Sequence, residues 1–136
     1  MITVAAITSP NINKFGIGIT VFLPLSNGRT AWAIPEYRGG DQKNIDAEAI
    51  RWAVMKAREE GWRNIVVRSN NRSLVDLLGS GFSKDATVAT LLEDILCFCE
   101  LFESCSFEFC DNNKITDGNL VANQALLPDS DEVWRF

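Results

Sequence analysis

Histidine is absent from the chain. That excludes Ser-His-Asp and Cys-His catalysis and any metal centre built on imidazole. Long apolar runs are absent too, and none approaches the roughly 18 residues of a membrane span. Positive charge is scarce: 13 Lys and Arg stand against 18 Asp and Glu, for a net charge of −5 and a pI near 4.7. Nucleic-acid binding rests on cations that neutralise phosphates, so only a local basic patch can serve it here. The four cysteines, Cys97, Cys99, Cys105 and Cys110, lack the two C-x-x-C knuckles of a zinc ribbon. Buried free thiols are expected instead, and disulfides are not expected in a reducing compartment. No basic leader precedes the apolar residues of Met1-Ile-Thr-Val-Ala-Ala, so the expected location is intracellular, cytoplasmic or nuclear, and not secreted. There is no internal repeat, linker or low-complexity stretch.

What is present is an ordinary globular balance, 46% apolar and 23% charged over 136 residues, enough for one domain with its own core. Residues 2–8 are β-branched and apolar and read as a strand. Ser9-Pro10-Asn11 breaks it, and residues 16–23 form a second strand. Asn27-Gly28 is a hairpin signal leading to a third strand at about 29–34, ended by Pro35. From about 46 to 60 the period becomes helical, with Asn44 or Asp46 as cap and Gly61 at the C′ position. Residues 64–68 read as a buried strand and 70–78 as a short helix. A longer helix runs from Asp85 or Thr87 to about Phe102. Ser104 to Cys110 alternates as a half-buried strand, and a last helix spans about 115–125. The order β-β-β-α-β-α-α-β-α predicts an α/β fold, a mixed five-stranded sheet with helices on both faces.

Several short patterns then fall into a familiar order. Gly16-Ile17-Gly18 lies in the second strand, Ala47-Glu48 in the first helix, Arg68-Ser69-Asn70-Asn71 at the end of the fourth strand, and Asn113-Lys-Ile-Thr-Asp117 before the last helix. Together they resemble a ribonuclease H-like domain of the plant reverse-transcriptase-like, retroelement-type family, over nearly the whole chain to about residue 125. The resemblance implies residues 1–127 as the domain and 128–136 as an acidic, aromatic tail. In that family an Asp sits about eleven positions before the first Gly of Gly-x-Gly, and here that position is Ala5. The family's strand-four Asp is replaced by Asn70. Glu48 and Asp117 remain at the other two acidic positions.

Enzymes of this kind cleave phosphodiesters with two divalent ions about 4 Å apart. Unit charges at that distance already repel by about 4 kcal/mol at an effective dielectric of 20, and divalent charges by about fourfold more. Clustered carboxylates must offset this, and magnesium wants hard oxygen ligands. Ala5 offers none and Asn70 only a neutral carbonyl. Glu48 and Asp117 alone make a weak metal site or none. The expectation is a catalytically degenerate domain, without a cofactor, kept as a nucleic-acid-binding or protein-interaction module. The alternative is a Mg²⁺- or Mn²⁺-dependent RNA·DNA hybrid ribonuclease, with residual activity or inactivated by substitution for study. Gly118 in place of the family's Ala, and Arg68 in place of its Glu, favour drift over design.

By the same resemblance a hybrid or structured RNA would be gripped by shape across the minor groove. The candidate contacts are Asn11, Asn13, Lys14, Arg38, Lys43, Asn44 and Arg72. Solvated loops are the plain alternative for each. Each acidic or polar site residue also has a structural reading: Glu48 complements a helix dipole, and Asp117, Asn70 and Asn71 serve as caps. A protein partner is the competing expectation, through exposed tryptophans such as Trp62 and Trp134 or through a free sheet edge. No membrane partner is expected.

Overall fold

The structure, a computed structural model, describes residues 2–8, 15–23, 28–36, 42–80, 86–111, 119–122 and 134–135. Three β-rich segments come first: β1 (Ile2–Thr8), β2 (Phe15–Leu23) and β3 (Gly28–Glu36). Then follow α1 (Gln42–Glu59), β4 (Asn64–Ser69), α2 (Arg72–Ser80), α3 (Ala86–Cys99), β5 (Ser104–Phe109) and β6 (Trp134–Arg135). They form one mixed sheet in the order β5-β4-β1-β2-β3-β6. β1, β2 and β3 are an antiparallel meander, whereas β4 runs parallel to both β1 and β5. Residues 119–122 are helical; the rest of the expected last helix lies outside the described residues.

The sheet has six strands where five were expected. The sixth, β6, pairs with β3 at Trp32↔Arg135 and Ala33↔Trp134. Two residues are too few to show an alternating pattern, so this strand has no signature in the sequence. Pro35 does not end β3 but lies within it, opposite Gly16. A residue without an N–H is tolerated where the outer side of a strand needs no ladder bond, and among the described residues β6 pairs with β3 at Trp32 and Ala33. The pairing of β2 with β3 reaches Leu23↔Gly28, so Gly28 belongs to a strand.

Alternation along the strands puts Ile17, Ile19 and Val21 of β2, Trp32 and Ile34 of β3, and Ile65 and Val67 of β4 in the core. Against that face lie Ile45, Ala49, Ile50, Ala53, Val54 and Ala57 of α1. The many alanines let the helix axis come close to the sheet. Leu74 and Leu78 of α2 and Val88, Leu92 and Ile95 of α3 complete the layer. Burying one Ile or Leu is worth about 1.5–3 kcal/mol.

α1 starts four residues earlier than the polar run Gln42-Lys43-Asn44 suggested, because Ile45, only 2% exposed, extends the apolar stripe back by a turn. Asn44 and Asp46 are therefore inside the helix and do not cap it. Its end behaves as expected. Gly61 has φ +76°, Gly61 N–H donates to Arg58 O at 3.0 Å, and Trp62 N–H donates to Ala57 O at 3.2 Å. This is a Schellman stop, which needs the left-handed conformation that glycine adopts most readily. At α2 the cap is Asn71, whose Oδ1 accepts from Leu74 N–H at 3.1 Å.

Two substitutions test these ends by chemical denaturation. Gly61→Ala has open space around the added methyl, so only backbone strain should register, lowering stability by about 1 kcal/mol. Asn71→Ala should cost about 1–2 kcal/mol through loss of the cap. An unchanged denaturation midpoint in either variant contradicts the corresponding assignment.

Candidate functional site

The pairing of β1 with β4 sets the geometry. Ile2 lies level with Val67 and Thr3 with Arg68, an offset of 65 residues. Ala5 and Gly18 are paired across β1 and β2, and Asn70 directly follows the end of β4, the strand on the other side of β1. None of the three residues carries a charge.

Glu48, on α1, is half-buried, its side chain 12% exposed. Arg51, one turn along the same helix, brings its Nη1 to 3.6 Å from Glu48 Oε2. Arg51 Nε lies 3.6 Å from Asp94 Oδ2 of α3, an ion-pair distance without a hydrogen bond. One guanidinium therefore sits between two carboxylates contributed by two helices. Asp117 lies outside the described residues, as do Asn113 and the loop around them. Among the described residues there is no cluster of three or more Asp, Glu, His or Cys side chains able to hold a metal ion.

A second acidic residue at this end of the molecule was read from the sequence only as a cap. Asp46, 7% exposed, accepts from Asn71 Nδ2 through its Oδ2 at 2.8 Å. Asn71 N–H in turn donates to Ser69 Oγ at 3.1 Å. Asn71 thus ties the first turns of α1 to the β4–α2 turn while capping α2. Residues two apart on a helix do not share a face, so Asp46 faces the β4–α2 turn while Glu48 meets Arg51. The signal for Asp46 was its place in the α1 stripe, among Ile45, Ala49 and Ile50, once the helix is started at Gln42.

Of the expected nucleic-acid contacts, Asn44 is half-buried on α1 and Arg72 is exposed at the start of α2. The guanidinium carbon of Arg72 lies 4.1 Å from the ring centroid of Phe109, which fixes the group over an aromatic face. Lys43 belongs to α1, and Asn11, Asn13, Lys14 and Arg38 lie outside the described residues. Among the tryptophans, Trp62 is only half-exposed and packs edge-on to buried Trp32, with ring centroids 6.2 Å apart. Trp52 Nε1–H donates to Glu36 Oε1 at 2.8 Å. Trp134 contributes backbone to β6. Among the described residues no helix is long and apolar enough to cross a membrane.

Comparison with known proteins agrees with this architecture. RNase H1 from the halophilic archaeon Halobacterium salinarum superposes with a TM-score of 0.82 at 14% identity, covering 92% of this chain and 95% of that one. The N-terminal RNase H domain of a Mycobacterium tuberculosis protein gives 0.77 at 14% identity, with 92% of each chain covered. LC11-RNase H1, isolated from compost and solved in complex with an RNA/DNA hybrid, gives 0.73 at 17% identity, over 93% of this chain and 98% of that one. No curated protein sequence matches the chain. The reverse transcriptase-like family model matches residues 11–125. With the matching order of strands and helices, this makes the chain a member of the reverse transcriptase-like family, built on the ribonuclease H-like fold.

Proposed function

We propose that this is a catalytically degenerate ribonuclease H-like domain that recognises A-form duplexes, RNA·DNA hybrid or structured RNA, without cutting them. The first half is supported by the uncharged residues Ala5, on β1, and Asn70, just past the end of neighbouring β4, at the two positions where the resemblance implies aspartates. The donor set does not fit a two-ion centre. Ala5 has no ligand atom, Asn70 no charge, and Glu48 already has a guanidinium 3.6 Å away. At an effective dielectric of 20, a guanidinium and a divalent ion about 4 Å apart repel by roughly 8 kcal/mol. Asp117 is the one further family ligand retained in the sequence.

Recognition rests on the likeness to a fold seen holding an RNA/DNA hybrid and on Arg72, exposed and oriented at the same end of the sheet as Asn70. Residues 1–127 form the body of this reading. Trp134 and Arg135 of the tail, 128–136, pair with part of β3 as β6, and among the described residues β5 is the strand at the other end of the sheet. The competing nuclease reading draws on Asp46, a carboxylate joined to Asn71, next to Asn70.

Purified protein incubated with hybrid and Mg²⁺ or Mn²⁺ should show no turnover. Ala5→Asp combined with Asn70→Asp should create Mn²⁺ binding measurable by calorimetry. Cleavage by the unmodified chain that disappears in Glu48→Gln or Asp46→Asn would overturn the degenerate reading. For recognition, hybrid binding followed by fluorescence anisotropy should weaken steeply with salt. Arg72→Ala should reduce the slope by about one and act alike on all sequences. Absence of hybrid and structured-RNA binding at low salt would reject the nucleic-acid role and leave a protein partner as the reading.

A further inference from the structure

The cysteines show an arrangement that the site above does not use. All four are free thiols: Cys97 is exposed, Cys110 is buried, and Cys99 and Cys105 are half-buried. Cys99 ends α3 and Cys105 is the second residue of β5, and their sulfurs are 2.9 Å apart. That is less than about 1 Å beyond a covalent S–S bond. The turn leaving α3 and the start of β5 are each fixed independently of the sulfurs. Leu101 N–H donates to Phe98 O at 3.1 Å and Phe102 N–H to Cys99 O at 3.2 Å, and the start of β5 is tied to β4. Glu103 N–H donates to Arg63 O at 2.8 Å, and Ser104 Oγ–H donates to Asn64 Oδ1 at 2.7 Å. Both thiols also pack against the hydrophobic core. The contact is therefore set by the fold.

We infer that Cys99 and Cys105 form a redox-active dithiol, a modification site that a hydroperoxide converts to an intrachain disulfide joining the end of α3 to the start of β5. The hydrogen bond between the two sulfurs holds the Cys105 thiol below its ordinary range, while the same contact, with burial added, pushes Cys99 up. Cys105 is thus the more readily ionised of the two thiols and is assigned as the attacking sulfur. The Cys105 thiolate attacks one peroxide oxygen, the O–O bond breaks, and a sulfenic acid forms with release of hydroxide or an alkoxide. Cys99 loses its proton and attacks the Cys105 sulfur, forming the S–S bond and expelling hydroxide, which leaves as water. Two thiols and one hydroperoxide become one disulfide, one water, and a second water or an alcohol, so two electrons pass from sulfur to peroxide. Disulfides of intracellular proteins are mostly of this transient, redox-sensing sort.

The test is hydrogen peroxide treatment of the reduced, folded full chain, followed by intact mass and peptide mapping without reductant. The expected result is a loss of about 2 Da, a peptide linking Cys99 to Cys105, and return to the starting mass with dithiothreitol. Cys97→Ser combined with Cys110→Ser should keep the mass loss, and Cys99→Ser or Cys105→Ser should abolish it. A bond mapped to Cys97 or Cys110, or a gain of about 32 Da as sulfinic acid at Cys105 with no mass loss, would overturn the assignment.

Discussion

The parallel pairing of β1 with β4 is the constraint on which everything else depends. It joins residues 65 positions apart in the chain, Ile2 with Val67 and Thr3 with Arg68. A slip of one residue would move Val67 from the core to the opposite face and shift Asn70 relative to Ala5. The core prevents that slip. Ile2 and Val67 are each about 1% exposed beneath α1, whose Ala49, Ala53 and Ala57 are fully buried. Packing of α1 on the sheet therefore fixes both the register and the place of Glu48. A site assembled in this way is inherited with the fold, whether or not its chemistry is kept.

The charged and polar groups of α1 at this end of the sheet are engaged with neighbours, although Arg51 Nε makes no hydrogen bond. Arg51 lies between Glu48 and Asp94, which holds α1 beside α3. Asn71 links Asp46 to the β4–α2 turn and caps α2. A buried carboxylate must find donors or opposite charge, and buried Asp46 and half-buried Glu48 do so within the protein. Two-ion catalysis makes the opposite demand, that carboxylates be left with negative charge to share between cations. Stability and metal binding compete for the same oxygen atoms, and the arrangement favours stability.

Much of the architecture could be read from residues alone. The meander, the helix of Ala47 to Ala57, the Gly61 stop and the alternating strand at Ser104–Phe109 all follow from local periodicity and backbone preference, which act over a few residues. The extra turn of α1 escaped because three polar residues outweighed Ile45 in a short window. Pro35 misled for a related reason: proline ends a strand only where its missing N–H is needed, and the neighbouring strand decides that. β6 is too short to carry any pattern.

The sequence by itself determined which ligand atoms exist: no imidazole, a methyl group at position 5, an amide at position 70, carboxylates at 46 and 48. These are chemical identities that no folding can change. Only the tertiary structure decided their company. It set β1 beside β4, put Arg51 against Glu48, turned Asp46 towards Asn71 and brought the sulfurs of Cys99 and Cys105 within 2.9 Å. Register across the sheet and the meeting of separate helices arise from burial of the core as a whole, which local sequence does not encode.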